Sequence, residues 1–162
     1  MVGRLDMDVR VVRRGVAGVL AVLLLAGWLV VAFAPERARA GRTARREHML
    51  ALTNQEREER DKAELRLVDR LSRYARRHSL AMADKGYLFH SDESDLIRVL
   101  GRYDWSIGGE NVGVGSTVDS LQDAFMRSKP HRENILRTAF DHVAIGMVRV
   151  DDHLWVTVIF YG

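Results

Sequence analysis

Two histidines and one glutamate are the residues of this sequence best placed to do chemistry. His90 and His131 lie on predicted connecting segments, where functional sites usually form, and Glu110 lies among glycines and apolar residues, where neither a helix surface nor solvent explains it. Two imidazoles and a carboxylate suit Zn²⁺ or another divalent metal with an open coordination position, and they equally suit an acid–base pair. Spacing alone does not choose between these two chemistries.

Other kinds of site are excluded or disfavoured by what the sequence lacks. There is no cysteine, which removes disulfides, thiolate zinc sites and thiol nucleophiles. There is no HExxH zincin motif and no GxSxG nucleophile elbow, and the glycine-rich stretch lacks the flanks and third glycine of a dinucleotide fingerprint. Solvated or simply hydrogen-bonded imidazoles explain four further histidines: His48, His78, His142 and His153.

The distribution of charge argues against a nucleic-acid partner. The net charge is +3, and six arginines against three acidic residues in positions 1–40 account for all of it. Residues 41–162 are therefore neutral overall, without the basic surface that phosphate-backbone binding requires. Arginines between Arg66 and Arg77 form a cationic helix face, which is a candidate contact for anionic lipid headgroups or wall polymers.

The N-terminal segment predicts export. Residues 15–34 carry no charge over 20 positions, about 30 Å of helix, and three arginines precede them. The run is longer than a typical cleaved signal, which favours an uncleaved membrane anchor; cleavage after the Ala38-Arg39-Ala40 triplet, leaving Gly41 first, is the alternative. We expect residues 1–40 to be this signal or anchor with its linker and 41–162 to be an extracytoplasmic domain, either membrane-anchored or secreted.

Helices dominate the first part of that domain. The charged stretch 42–62 predicts a solvated helix, with Leu50, Leu52 and Asn54 as its first core contacts. Apolar residues at three- and four-residue steps predict an amphipathic helix from Leu65 to a stop at Gly86. Three shorter helices follow, marked by the caps and turns at residues 91–94, Thr117 and Pro130.

Strands are predicted at the end of the chain. Residues 143–150 and 154–161 are β-branched and aromatic runs joined by Asp151-Asp152-His153, as in a β-hairpin. The stretch 108–115 is too rich in glycine for a helix and is interpreted as a loop with an extended portion. Helices followed by an antiparallel hairpin, without regular βαβ alternation, indicate the α+β class.

An ordered set of short motifs over residues 48–162 resembles the bacterial branch of the CAP superfamily (cysteine-rich secretory, antigen 5, pathogenesis-related). No single motif would suffice, and the order makes the resemblance specific. The principal motifs are Asn54 with Arg57, His78-Ser79, Phe89-His90-Ser91, Gly109-Glu110-Asn111-Val112-Gly113, and the segment Phe125 to Leu136 with Ser128, His131 and Asn134.

The resemblance implies a three-layer α-β-α sandwich with a central antiparallel sheet, here preceded by one N-terminal hydrophobic helix. It also implies a cleft that many members line with two histidines and two acids. Carried over, the histidines are His90 and His131, and the first acid is Glu110. Ser128 stands at the place of the second acid, which leaves His90, Glu110 and His131 as three metal ligands, with water completing a tetrahedral Zn²⁺ shell.

Two function classes follow. The first is a non-enzymatic exported domain whose cleft binds a divalent metal, a lipid or another cell-envelope component. The alternative is a peptidase or esterase in which His90 or His131 is the general base, Glu110 orients it, and Ser128 or a metal-bound water is the nucleophile. A purely structural or protein-interaction domain is the third interpretation.

Overall fold

A computed structural model describes the backbone of residues 16–162 and the side chains of residues 36–162. Among the helices of this described part, none is long and apolar enough to cross a bilayer. The side chains of the apolar run at 15–34, and the arginines before it, lie outside the described residues, so the signal or anchor stays a prediction. The chain divides into two units, Met1–Arg39 and Ala40–Gly162, and the fold given below is that of the second.

The described residues form five helices and four strands. In chain order these elements are α1 (Val16–Glu58), β1 (Arg66–Leu67), α2 (Asp69–Lys85), α3 (Glu93–Leu100), β2 (Gly108–Gly115), α4 (Val118–Arg127), α5 (Lys129–Leu136), β3 (His142–Val150) and β4 (His153–Tyr161). The class is α+β, as predicted.

The sheet has the order β1-β3-β4-β2, with the predicted hairpin at its centre. β4 is antiparallel to both β3 and β2, whereas the two-residue β1 is parallel to β3. The sheet is therefore mixed, whereas the resemblance implied an antiparallel sheet. The parallel pair is short because only Arg66 and Leu67 meet β3, at His142 and Val143.

Helices cover both faces of the sheet. On one face, Leu71 and Ala75 of α2 and Leu100 of α3 pack against Ala144 and Ile159. The opposite face carries the larger core, where α1, α4 and α5 contribute Met49, Phe125 and Ile135 against alternate residues of β3 and β4: Val143, Ile145, Met147, Leu154, Val156, Val158 and Phe160. This two-residue alternation places both strands between apolar layers and confirms the three-layer α-β-α sandwich.

Local sequence punctuation accounts for several element ends. Gly86 ends α2 in the left-handed conformation at φ 74°, which glycine adopts without strain. Asp92 caps α3 by accepting from the backbone N–H groups of Ser94 and Asp95, and Thr117 and Ser120 cap α4 reciprocally. These predicted starts and stops are confirmed.

Three sequence-based expectations need correction. Residues 108–115 form strand β2, paired with β4 along its whole length, whereas only a portion of them was expected to be extended. The helix predicted from Leu65 begins at Asp69, because Arg66 and Leu67 are drawn into the sheet. The helix predicted at 42–62 is part of α1 and is not simply solvated, since Met49, Thr53 and Arg57 are buried at four-residue steps.

Arg57 is buried to 1% exposure and has no carboxylate partner among the described residues. Its guanidinium donates instead to four backbone carbonyls, those of Ala63, Ile135, Arg137 and Phe140, at 2.7–3.1 Å. Two of these lie at the C-terminal end of α5, where helix carbonyls lack partners and a cation is favoured. Arg57 thereby ties α1 to the segment that follows His131.

Helix α2 approaches the sheet closely at Gly146. A Cβ atom added there would overlap the backbone of Ala75 and Arg76 in α2. Beside this contact, the hydroxyl of Ser79, fully buried, lies 3.0 Å from the carbonyl oxygen of Gly146 and 2.9 Å from Oγ1 of Thr157. The position of α2 on the sheet is thus set by direct backbone packing and a buried polar contact.

Candidate functional site

Glu110 lies at the centre of the candidate site and is held by three hydrogen bonds. Its Oε1 accepts from Nδ1 of His90 at 2.9 Å and from the backbone N–H of Ser91 at 2.8 Å, and its Oε2 accepts from the Ser91 hydroxyl at 2.6 Å. The Glu110 side chain is 5% exposed, whereas that of His90 is 62% exposed. A buried carboxylate therefore orients an accessible imidazole.

This hydrogen bond fixes the tautomer of His90. A carboxylate oxygen can only accept, so Nδ1 carries the proton and, in the neutral ring, Nε2 has its lone pair free. Among the described residues, Nε2 of His90 has no hydrogen-bond partner. Such a nitrogen can bind a metal ion, accept a proton or receive a ligand's hydrogen bond.

The segment that carries His90 is braced by α2. Nε2 of His78 lies 2.8 Å from the carbonyl oxygen of Phe89 and donates to it, and the two rings meet edge to face at 4.9 Å. Tyr74, one turn earlier on α2, has a pKa raised chiefly by burial. These contacts explain how an exposed imidazole on a connecting segment keeps a defined position.

His131 lies in the first turn of α5, and a residue of β2 holds its backbone carbonyl. The fully buried Asn111 donates through Nδ2 to the His131 carbonyl at 3.0 Å and accepts from Nδ2 of Asn134 at 2.9 Å. The His131 ring packs edge to face on Phe125 at 5.0 Å. Because side chains alternate along β2, Glu110 and Asn111 reach opposite sides of this strand and position one histidine each.

Electrostatics link the two imidazoles. Burial lowers the pKa of His131 below its ordinary value, and the positive charge of His90 lowers it further. Both causes disfavour the protonated ring, so they act in the same direction. His131 is therefore held in its neutral, ligand-competent form.

The lowered pKa of His131 predicts a loss of stability in mild acid. The unfolded chain binds a proton near the ordinary value of about 6.5, but the folded chain binds it only at lower pH, so stability falls as the pH drops from neutral through this interval. Urea unfolding of the full chain at about pH 7.5 and about pH 5 should show a smaller loss for His131→Gln than for the wild-type chain. Equal losses in both proteins would contradict the assignment.

The structure does not assemble the predicted three-ligand metal site. Among the residues whose side chains are described, no group of three or more His, Asp or Glu side chains is arranged to hold a metal ion. The two oxygens of Glu110 accept hydrogen bonds from His90 and Ser91. What the structure does show is the pairing of His90 with Glu110, which orients this imidazole.

Ser128, the predicted nucleophile candidate, lies where α4 ends and α5 begins. Its backbone bonds to the carbonyl of Ala124 and accepts from the N–H of Arg132, as expected of a helix junction. Among the described side chains, its hydroxyl makes no hydrogen bond with either imidazole. It therefore lacks the contact with a base that activates a serine.

The segment that holds this site matches a known protein family. The family model for CAP, the cysteine-rich secretory protein family, matches residues 50–160. The chain belongs to the CAP family. All the site residues described above, from Tyr74 to Asn134, lie inside the matched region.

Proteins similar to this CAP domain occur in bacteria. The uncharacterized protein YkwD of Bacillus subtilis is 33% identical over 106 residues, which cover 62% of this chain and 41% of YkwD. An extracellular protein containing a SCP domain from Bacillus anthracis has a similar structure, with a TM-score of 0.67 at 22% identity, over 79% of this chain and 43% of that one. The chain thus spans less than half the length of either protein.

An outer surface protein of Borrelia burgdorferi has the same fold and is closer to this chain in length. Its TM-score is 0.63 at 16% identity, over 71% of this chain and 90% of that one. At such identities the likeness concerns the CAP fold, not the ligand or the activity.

Three residues of the site were given no role by sequence reasoning from the residues alone. Ser91 looked like part of a helix cap, and Asn111 and Asn134 looked like unremarkable polar positions. Asn111 had a usable signal, because an amide that interrupts an apolar, glycine-rich segment needs buried partners if that segment is a strand. Treating the segment as a loop hid this signal.

Proposed function

We propose that the protein is an extracytoplasmic CAP domain that acts by binding rather than by catalysis, and that His90, Glu110 and His131 form its binding cleft. The hydrogen bond from His90 to the buried Glu110 carries this proposal. Through this bond the carboxylate of Glu110 orients the imidazole of His90, and Nε2 of that exposed ring stays available to a ligand.

A divalent transition metal such as Zn²⁺ is the ligand that best suits this chemistry. Neutral imidazole is a preferred zinc ligand, and the carboxylate–histidine pair is the usual outer support of such a ligand. His90, through Nε2, and His131 would hold the ion, and Glu110 would act as a positioning residue. The bound ion would offer its remaining positions to a lipid or other envelope component.

The arrangement of hydroxyls supports binding over hydrolysis. The Ser91 hydroxyl donates to Glu110, and Ser128 has no described contact with an imidazole. A serine mechanism needs a hydroxyl that donates to a histidine base, followed by an acid that orients this base. Here the carboxylate and the histidine are present, but the Ser91 hydroxyl donates to the carboxylate of Glu110 instead of to a histidine.

Export is supported by two independent features. The uncharged run at 15–34 follows a cluster of arginines, as in secretory signals and membrane anchors. The similar Bacillus anthracis protein is named as extracellular, and the Borrelia burgdorferi protein as an outer surface protein. Retention of the run as an anchor, or its removal, would decide between a membrane-bound and a secreted domain.

Zinc titration of the full chain tests the proposed cleft. We expect the wild-type chain to bind Zn²⁺, His90→Ala and His131→Ala each to lose most of this binding, and Glu110→Gln to weaken it by about tenfold or more, because outer support of a ligand is worth about 10–100-fold. Calorimetry in a non-chelating buffer provides the measurement.

His153→Ala is the matched control, since His153 is an exposed histidine in the hairpin turn, far along the sequence from the cleft. This variant should bind as the wild-type chain does. Equal zinc affinity in the wild-type, His90→Ala and His131→Ala chains would rule out the metal site. Serine-dependent esterase or peptidase activity abolished by Ser128→Ala would rule out the non-catalytic proposal.

A further inference from the structure

A second concave site lies between α2 and α3, and it is lined by arginines. The cavity has a volume of about 390 Å³. Five guanidinium side chains line it, from Arg70, Arg73, Arg77, Arg98 and Arg102. We call it the arginine pocket.

The floor of the arginine pocket is built from less polar groups. Leu71 is buried and Tyr74, Val99 and Tyr103 are half-buried, whereas all five arginines are exposed. A charged rim around an aromatic and aliphatic floor differs from an ordinary solvated helix face, which is convex and surrounded by water. A cavity of this size is within the range of about 300–1,000 Å³ typical of small-ligand sites.

The positive charge in this pocket is largely uncompensated. Asp95 pairs with Arg98, and the guanidinium of Arg77 lies over the Tyr74 ring at 5.7 Å. Within the described part of the chain, Arg70, Arg73 and Arg102 form no ion pair with a carboxylate. Like charges gathered around one cavity repel one another, and an anion bound among them would relieve that repulsion.

The geometry of arginine indicates the class of anion. The planar guanidinium matches the oxygens of phosphate, to which it donates two parallel hydrogen bonds. Several guanidiniums around one cavity suit a ligand with one or more phosphate groups, and the tyrosine-lined floor suits an organic portion. We propose that the arginine pocket binds a phosphate-bearing anion, either a free phosphate compound or the headgroup of an anionic phospholipid.

This second site is separate from the histidine cleft, although α2 contributes to both. Tyr74 of α2 belongs to the pocket floor, and His78 of α2 donates to the carbonyl of Phe89, next to His90. No arginine of the pocket contacts Glu110 or either cleft histidine through a described hydrogen bond. Removing the two imidazoles should therefore leave anion binding intact.

Calorimetric titration of the full chain at low salt tests the proposal with two soluble probes. Inorganic pyrophosphate represents free phosphate compounds, and glycerophosphoglycerol is the phosphatidylglycerol headgroup without its acyl chains. The pocket variant is Arg73→Gln/Arg102→Gln. The control, Arg76→Gln/Arg127→Gln, removes the same charge at two exposed arginines outside the pocket, one of them on α2.

We expect the wild-type chain to bind at least one probe. The pocket variant should lose affinity by about tenfold or more, the control should change by less than about twofold, and added salt should weaken binding. Affinity for pyrophosphate alone would identify a free phosphate ligand, and affinity for glycerophosphoglycerol would identify a lipid headgroup. Unchanged circular dichroism melting would show that both variants fold.

Three results would overturn the proposal. The first is that neither probe binds the wild-type chain at millimolar concentration. The second is an equal loss in the pocket variant and the control, which would indicate attraction to net charge only. The third is a loss in His90→Ala/His131→Ala together with unchanged binding in the pocket variant, which would place the anion in the histidine cleft.

Discussion

Replacing Gly146 with alanine is expected to destabilise the domain by about 3 kcal/mol or more. The added Cβ atom would overlap backbone atoms of Ala75 and Arg76, not the flexible end of a side chain, so α2 must move away from β3. That movement would also strain the buried contact between Ser79 and Thr157. Because α2 carries Tyr74 and His78, the segment bearing His90 should become less ordered as well.

Thermal unfolding of the full chain provides the measurement. The melting temperature of Gly146→Ala should fall by about 10 °C or more, given roughly 3–4 °C per kcal/mol for a domain of this size. Gly108→Ala is the control, since the nearest atom to its added Cβ is a terminal methyl of Leu100 at 3.0 Å and the nearest backbone atom is 3.7 Å away. Equal melting temperatures for Gly146→Ala and wild type would show that α2 does not pack on β3 as closely as described.

Replacing Arg57 with methionine is expected to cost about 3–5 kcal/mol. Methionine fills similar space but leaves four carbonyl oxygens without their donor, and two of them belong to the end of α5. Arg57→Lys should fall between methionine and wild type, because an ammonium keeps the charge but does not span four acceptors. The loss should also disturb His131, which lies on the same short helix.

Urea denaturation of the full chain measures this effect, and Arg60, in the turn that follows α1, offers a matched control. Arg60 is exposed, pairs with Glu56 at 2.7 Å, and should cost less than about 1 kcal/mol when changed to methionine. An Arg57→Met chain as stable as the Arg60→Met chain would mean that the buried guanidinium contributes little. A selective loss at Arg57 would identify it as a structural support of the cleft.

Local signals were sufficient to predict the elements whose ends are chemically marked. Asp92 and Thr117 cap their helices as short polar side chains do, and Gly86 ends α2 because it accepts a positive φ. The hairpin of β3 and β4 follows from β-branched runs on either side of a tight turn. In each case the deciding interaction is between residues close in sequence.

β2 was predicted only in part, as an extended portion of a loop, because its stability comes from distant residues. Glycine has a low intrinsic preference for strands, but β2 is fixed by complete pairing with β4, from Gly108 opposite Tyr161 to Gly115 opposite Leu154. At Gly113 a Cβ atom would lie 3.0 Å from the Phe125 ring, so the missing side chain lets α4 pack closely. Neither fact is visible within an eight-residue window.

The resemblance named candidate residues for the site but not the hydrogen bonds between them. The resemblance to the CAP superfamily selected His90, Glu110 and His131, and the structure joins His90 to Glu110 directly. The resemblance could not show that the Ser91 hydroxyl donates to the second oxygen of Glu110, because this contact depends on how the segment after α2 passes over β2. The number of side chains available to bind a metal therefore depends on how the fold arranges the site.

The strand order has a consequence for when the domain can fold. β1 and β2 do not pair with each other; each pairs with one strand of the β3–β4 hairpin, which comes later in the chain. While the chain is being made, helices can form locally, but no strand has a partner until residues 142–161 have emerged. For the exported chain proposed above, this delay would keep the polypeptide open enough to thread through a secretion channel before its core closes.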